Sequence, residues 1–249
     1  MNVAILADQG NADGTVGGAE LTMREFAACC PKEITLTDLE HAETVIVSNC
    51  VGFPSSTIRD LVGKRVIRYF NDLDPHSDRE LQAWLIDNAE LVFTSPLHRE
   101  KMGLEGDVIP PALDLSRFKV KRKGRAGAVS VGAWQNPGKG QQLLREWADL
   151  NEPVDVYGTG RFTPHGPNLN VMGPVEYEQV PGVLARYKTF VHLPTALEPF
   201  GRAVVEAWAS GCDLVINGNV GARYWIEEDP QGLRDAGERF WGLVGAVTA

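Results

Sequence analysis

Short runs of apolar, β-branched residues alternate along this chain with longer stretches whose apolar positions recur at helical spacing. In the first half, Asn2–Asp8, Glu43–Asn49, Arg65–Phe70 and Glu90–Thr94 predict strands. Gly18–Cys29 and Ser77–Asn88 predict helices. Pro31 stops the first helix because proline lacks the backbone donor and clashes with the preceding turn. Leu81, Trp84 and Leu85 share one face of the second. The charged stretch Arg117–Arg125 (RFKVKRKGR) then interrupts the pattern, and its composition predicts a linker.

Beyond it the alternation restarts. Ala126–Val131, Val154–Tyr157, Leu169–Met172, Thr189–Leu193 and Asp213–Asn217 predict strands. Gly140–Asp149, Tyr177–Arg186, Gly201–Ser210 and Arg234–Val244 predict helices. Strands alternating with helices predict an α/β fold with mostly parallel sheets. The two halves are of similar size, which predicts two Rossmann-like domains, residues 1–122 and 123–230, facing each other across an interdomain cleft. The remaining stretch, residues 231–249, carries Phe240 and Trp241 and is expected to pack back on the first domain.

Composition agrees with that picture. A length of 249 residues suits two small domains. With 43% hydrophobic and 23% charged residues, the chain is a globular protein rather than a disordered one. No apolar run approaches the ~18 residues of a membrane-spanning helix. The opening MNVAILADQG lacks a basic start and is interrupted by Asp8, so it predicts a strand and not a signal peptide. Cys29, Cys30, Cys50 and Cys212 form no CxxC pair and are expected to be buried thiols in a reducing cytoplasm. A formal charge of −9 disfavours nucleic acid or anionic membrane as a bulk partner. The Lys119–Arg125 cluster still permits local contact with an anionic acceptor or surface, beside its other reading as a solvated connector.

Three segments carry candidate chemistry. In EPFGRAVVEAWASG, Glu198–Gly211, a strand leads through a turn into a helix, placing backbone N–H groups and a positive helix end at the carboxyl edge of a sheet. Glu198 stands before that helix and Glu206 about one and a half turns into it. Two carboxylates so spaced can accept hydroxyl hydrogen bonds at two depths of one crevice, or be a helix-start carboxylate and a separate exposed one. Ala203, Val204, Ala207 and Trp208 are expected in the core. In VGAWQNPGKGQQLLREW, Val131–Trp147, Lys139 sits where a loop enters a helix, a place for an ammonium to meet a diphosphate. The third segment is the glycine-rich loop Asp8–Glu20, either a close approach to a ligand or a surface loop. Neither GxxxxGK[ST] nor a clean GxGxxG occurs.

In this order, the pieces resemble glycosyltransferase family 4, of the GT-B fold. GGAE (Gly17–Glu20), LVFTSPLHREKM with VIPPALDLSRFK, VGAWQNPGKG, and the long stretch from NLNVMGPVEYEQV to EPFGRAVVEAWASGCDLVI carry the resemblance. It implies a retaining transferase that takes a hexose-type sugar from a UDP- or GDP-sugar and needs neither cofactor nor metal. Glu198 would contact the transferred sugar and Glu206 the ribose hydroxyls. Backbone amides around Phe200, Gly201 and Arg202 would face sugar and diphosphate. Lys139 would neutralise the diphosphate, and Gly17 or Gly18 would close the site from the other domain. Catalysis would rest on stabilising the departing diphosphate, whose oxygen deprotonates the acceptor.

Two positions depart from the family pattern. Ala133 stands where an arginine is usual, leaving Arg161 or Arg202 to substitute. Asn71 stands where a histidine is usual; it can hydrogen-bond a sugar hydroxyl but cannot titrate near neutrality. The resemblance leaves the acceptor open among glycan, lipid, small molecule, protein and modified nucleic acid. Asp72-Leu73-Asp74 is a DxD of the metal-binding kind found in the other large glycosyltransferase fold, a reading the C-terminal pattern outweighs. His76, His98 and His165 are expected in polar loops or on helix faces, and His192 in the packed core. The alternatives are a non-catalytic nucleotide- or sugar-binding protein of the same fold, and a nucleotide-binding α/β enzyme such as an epimerase or dehydrogenase.

Overall fold

A computed structural model describes residues 1–7, 17–49, 51–73, 78–119, 126–158 and 160–246. Most of the glycine-rich loop (8–16), Cys50, Asp74 with His76, and the basic residues 121–125 lie outside the described residues. The first elements are β1 (Asn2–Leu6), α1 (Gly18–Ala28), β2 (Thr35–Leu36), β3 (Thr44–Val47), α2 (Ile58–Leu61), β4 (Arg65–Phe70), α3 (Arg79–Asn88), β5 (Glu90–Phe93), α4 (Pro96–Met102) and β6 (Asp107–Val108). After a 3₁₀ turn at Leu115–Phe118 come β7 (Ala128–Val131), α5 (Gln141–Leu150), β8 (Val154–Tyr157), β9 (Leu169–Gly173), α6 (Val180–Leu184) and β10 (Thr189–His192). The chain ends with α7 (Arg202–Ala209), β11 (Asp213–Ile216), α8 (Ala222–Glu227), α9 (Pro230–Arg234) and α10 (Ala236–Gly245). Two compact units result, Met1–Leu113 with Glu227–Ala249, and Asp114–Ile226.

The first unit holds a parallel sheet in the order β2-β1-β3-β4-β5-β6. Central parallel strands are covered on both faces and so carry continuous apolar runs, as β3 (TVIV) does with every residue buried. Arg68, buried in β4, breaks that rule at a cost met by its surroundings. Its guanidinium donates to the Val47 and Ser48 carbonyls and lies 4.6 Å over the Phe70 ring. On one face, α1 and α10 pack over β1, β3 and β4. Phe26 and Phe240 stack with ring centroids 4.0 Å apart, Tyr69 meets both edge-on, and the Trp241 indole donates to the Phe26 carbonyl at 2.8 Å. Arg65 donates to the carbonyls of Leu243 and Val244 while held by Glu90. That places a cation at the C-terminal end of α10, where helix carbonyls lack intrahelical partners.

The second unit is a parallel sheet in the order β11-β10-β7-β8-β9. The chain moves outward from β7 through β8 to β9, then returns to the other side of β7 to lay down β10. The order therefore reverses between β7 and β10, and in open α/β sheets such a reversal point is where ligands bind, beyond the strands' carboxyl ends.

Several expectations need correction. Tyr177–Arg186 is a 3₁₀ turn, Tyr177–Gln179, followed by the short α6 with Pro181 in its first turn. The elements β2, β6, α2, α4, α8 and α9 were not anticipated, because segments of two to seven residues are too short to display a period. The buried face of α7 runs over Val204, Val205, Glu206 and Ala207, whereas Ala203 and Trp208 are half-buried. Cys29 is exposed and Cys30 half-exposed; of the three described thiols only Cys212 is buried. His98 is fully buried at the start of α4, where burial pushes its pKa down to about 4.

Candidate active site

The reversal point of the second unit receives two loops. After β7 the chain runs through Gly132–Asn136 into a 3₁₀ turn, Pro137–Lys139, and enters α5 at Gly140. After β10 it runs through Leu193–Pro199 into α7. The loops are stitched together: the Thr195 and Ala196 amides both donate to the Gly138 carbonyl, at 2.9 and 3.1 Å. Gly140 has φ +81°, and a Cβ there would collide with the Leu193 carbonyl, so only glycine permits this approach. Asn217 and Asn219 fix the second loop from below by donating to the Pro194 carbonyl. Glu198 is pinned through its own backbone, donating to Asn219 and accepting from Gly221. Gly201, at φ +88°, then turns the chain into α7.

This scaffold brings two predicted residues together. Lys139 Nζ lies 2.6 Å from Glu198 Oε2, with both side chains about three-quarters buried. His192, the last residue of β10, places Nε2 3.6 Å from the same oxygen. Burial opposes ionisation of Glu198, but the His192 ring and the Lys139 ammonium outweigh it and hold the carboxyl at about 2. The site therefore carries a fixed carboxylate beside an ammonium at the mouth of a parallel sheet.

Glu206 has a different setting. It is 4% exposed, and Arg202 Nε donates to it at 3.1 Å. Arg202 also donates to the Tyr177 hydroxyl at 2.9 Å, and the Arg117 guanidinium lies 4.7 Å over the Tyr177 ring. Burial dominates here and pushes the Glu206 carboxyl up to about 6, against the pull of Arg202 and Tyr177. Of the two readings of the acid pair, an exposed second glutamate is thus excluded. Arg117, placed by sequence at the start of a solvated linker, instead sits in the 3₁₀ turn against α7 with Phe118 buried behind it.

The other predicted residues are scattered. Phe200 is buried, its carbonyl accepting from Ala222. Arg161 is exposed, 5.6 Å over the Phe162 ring, and makes no ion pair among the described residues. Ala133 is exposed. In the first unit, Gly17 precedes α1 and accepts from the Leu21 amide, and Gly18 opens the helix. Asn71 follows β4 and donates to the Ser48 hydroxyl at 2.8 Å. Asp72 is exposed and accepts from Asn49. Among the described residues no group of three acidic, histidine or cysteine side chains could hold a metal ion, and no helix is long and apolar enough to cross a membrane.

Sequence reasoning missed His192 and Tyr177. The first had a usable signal: a polar residue closing an apolar strand points to the carboxyl edge where ligands bind. Tyr177 had none, because its partners Arg117 and Arg202 are distant in sequence.

The chain matches no protein-family model, and no curated protein matches it in sequence. Solved structures do resemble it. HepE from Anabaena, in complex with UDP-glucose, superposes with a TM-score of 0.69 at 15% identity, over 98% of this chain and 95% of that one. Sucrose-phosphate synthase from Thermosynechococcus elongatus gives 0.67 at 13% identity, over 97% and 90%. A glycosyltransferase from Rickettsia africae gives 0.64 at 10% identity, over 98% and 89%. The likeness shows the fold: two Rossmann-like units with parallel sheets, of the GT-B type.

Proposed function

We propose that this chain transfers a hexose-type sugar from a nucleotide diphosphate sugar to an acceptor hydroxyl, in the manner of glycosyltransferase family 4. The observation that carries this reading is the convergence of Lys139 and Glu198, from two separate loops, at the strand-order reversal of the second unit. That place favours anionic ligands, because the crevice gathers loop amides and helix N-termini. The HepE structure in complex with UDP-glucose supports the same donor chemistry for this fold.

In the resting site Lys139 and Glu198 neutralise one another. A sugar diphosphate offers each a better partner: phosphate oxygens for the ammonium, sugar hydroxyls for the carboxylate. In the transfer step the bond between the anomeric carbon and the diphosphate oxygen breaks, and its electron pair stays on that oxygen. Lys139 and the first turn of α7 counter the growing charge. The acceptor oxygen bonds to the anomeric carbon on the face being vacated, with retention, and its proton passes to the departing phosphate oxygen. Glu206 takes the ribose hydroxyls, and Phe200, Gly201 and Arg202 line the path between. No metal or cofactor enters this scheme. Gly17 and Gly18 are proposed as donor contacts and Asn71 as a catalytic residue that hydrogen-bonds a sugar hydroxyl, and the acceptor is identified only as a hydroxyl-bearing molecule.

A panel of UDP- and GDP-sugars tests the proposal, with hydrolysis or transfer followed by nucleotide release. Turnover of at least one donor, reduced about 100-fold or more by Lys139→Met, is expected, the loss of a cation that acts on transition-state charge. One observation favours the non-catalytic alternative: Ala133 puts no cation where the family usually has one. Saturable nucleotide binding with no release, indifferent to Glu198→Gln, is its signature.

A further inference from the structure

We infer that His192 is a positioning residue, whose ring takes over the Glu198 carboxylate when a diphosphate draws Lys139 away. The exchange rests on the donor chemistry proposed above; the resting contact does not.

The geometry begins with the strand. Phe190 and His192 lie two apart in β10 and share a sheet face, their ring centroids 6.4 Å apart. His192 is 6% exposed, so both ring nitrogens are removed from water. Nε2 faces Glu198 Oε2 at 3.6 Å, while Nδ1 is buried with no hydrogen-bond partner among the described residues. A doubly protonated ring would bury an N–H at Nδ1 with no acceptor, which is costly. A ring protonated on Nδ1 alone would do the same and turn a lone pair toward the carboxylate. The form that avoids an orphaned N–H is neutral, with its proton on Nε2 pointing at Glu198 and only a lone pair left at Nδ1.

At 3.6 Å that proton is not in a hydrogen bond. The oxygen it faces is already held by Lys139 at 2.6 Å. The charged groups facing the ring are thus Glu198, from the loop after β10, and through it Lys139, from the loop after β7. If a diphosphate engages Lys139, the carboxylate loses its ammonium while it remains largely out of water. A shift of about 0.7 Å then brings it into hydrogen-bond range of Nε2–H. The ring keeps Glu198 ionised and fixes its rotamer for the sugar hydroxyls.

Imidazole NMR on the free protein at neutral pH tests the resting contact. A neutral ring protonated at Nε2 is expected; a ring protonated at Nδ1, or at both nitrogens, overturns the inference. UDP, then GDP, is next titrated while the Lys139 ammonium and the His192 Nε2–H are followed. Both signals are expected to move, the second downfield. Movement of Lys139 alone sinks the exchange and leaves the donor reading standing. Movement of neither, with either nucleotide, sinks the donor reading and the exchange with it.

Kinetics give a third readout. His192→Leu is expected to lower kcat about tenfold at little change in donor KM, the loss of one charge-assisted hydrogen bond. His192→Gln, which restores an N–H donor, is expected to recover most of it. Equal impairment of the two variants at matched melting temperatures contradicts the role.

Discussion

Glu198 and Glu206 flank the first turn of the same helix, each within reach of a cation, yet their carboxyls move in opposite directions. Glu198 meets Lys139 at 2.6 Å and is held at about 2. Glu206 meets Arg202 at 3.1 Å and is pushed up to about 6. Burial opposes ionisation of both, and their partners separate them: at Glu198 the His192 ring and the Lys139 ammonium together outweigh it. At Glu206 the cost of burying charge exceeds what one guanidinium and a tyrosine hydroxyl return. The first acid is thus a permanent anion at the mouth of the sheet. The second is a buried carboxyl, held by Arg202, whose charge changes near pH 6.

The two shifts have opposite consequences for stability. From the ordinary value of 4.5, Glu198 favours the folded state by about 3 kcal/mol at neutral pH, a contribution lost as pH falls through about 2. Glu206 favours the folded state below 4.5, and the protein loses about 2 kcal/mol of that as pH rises from 4.5 to about 6.

Lys139→Met breaks the comparison most sharply. Leaving Glu198 without its ammonium is expected to cost about 2–3 kcal/mol at pH 7 and to raise the Glu198 carboxyl well above 2, read by urea unfolding and carboxyl carbon NMR. An unchanged titration would mean that Lys139 does not set the charge of the first acid. Glu206→Gln comes next. It removes the buried ionisation, so stability at pH 7 is expected to rise by about 1–2 kcal/mol while the slope between pH 4.5 and 6 disappears. UDP affinity is expected to fall about tenfold in the same variant, separating a binding role from a structural one. Tyr177→Phe has the smallest effect, about 0.5–1 kcal/mol from one hydroxyl, with the Glu206 carboxyl moving slightly higher.

Much of the architecture was legible in the sequence because long periodic segments state their own type. Apart from β2 and β6, the strands of both sheets and the helices α1, α3, α5 and α7 follow from apolar spacing alone. The pairing of Lys139 with Glu198 was not legible. It depends on β10 returning beside β7, a tertiary event that no local pattern encodes. His192 was legible in part, as a polar residue closing an apolar strand, but only the fold brings Glu198 to its ring. The 3₁₀ turn at Leu115–Phe118 packs against α7, the helix in which Glu206 is buried. At Arg117 and Phe118 that turn overlaps the charged stretch whose composition predicted a linker.

Calorimetric titration of UDP and GDP into the wild type and into Lys139→Met tests the central claim most directly. The account predicts saturable binding of at least one nucleotide by the wild type, weakened about tenfold or more when the ammonium is removed, as expected for one buried charge-assisted contact. Binding of equal strength to both proteins, or to neither, would contradict it.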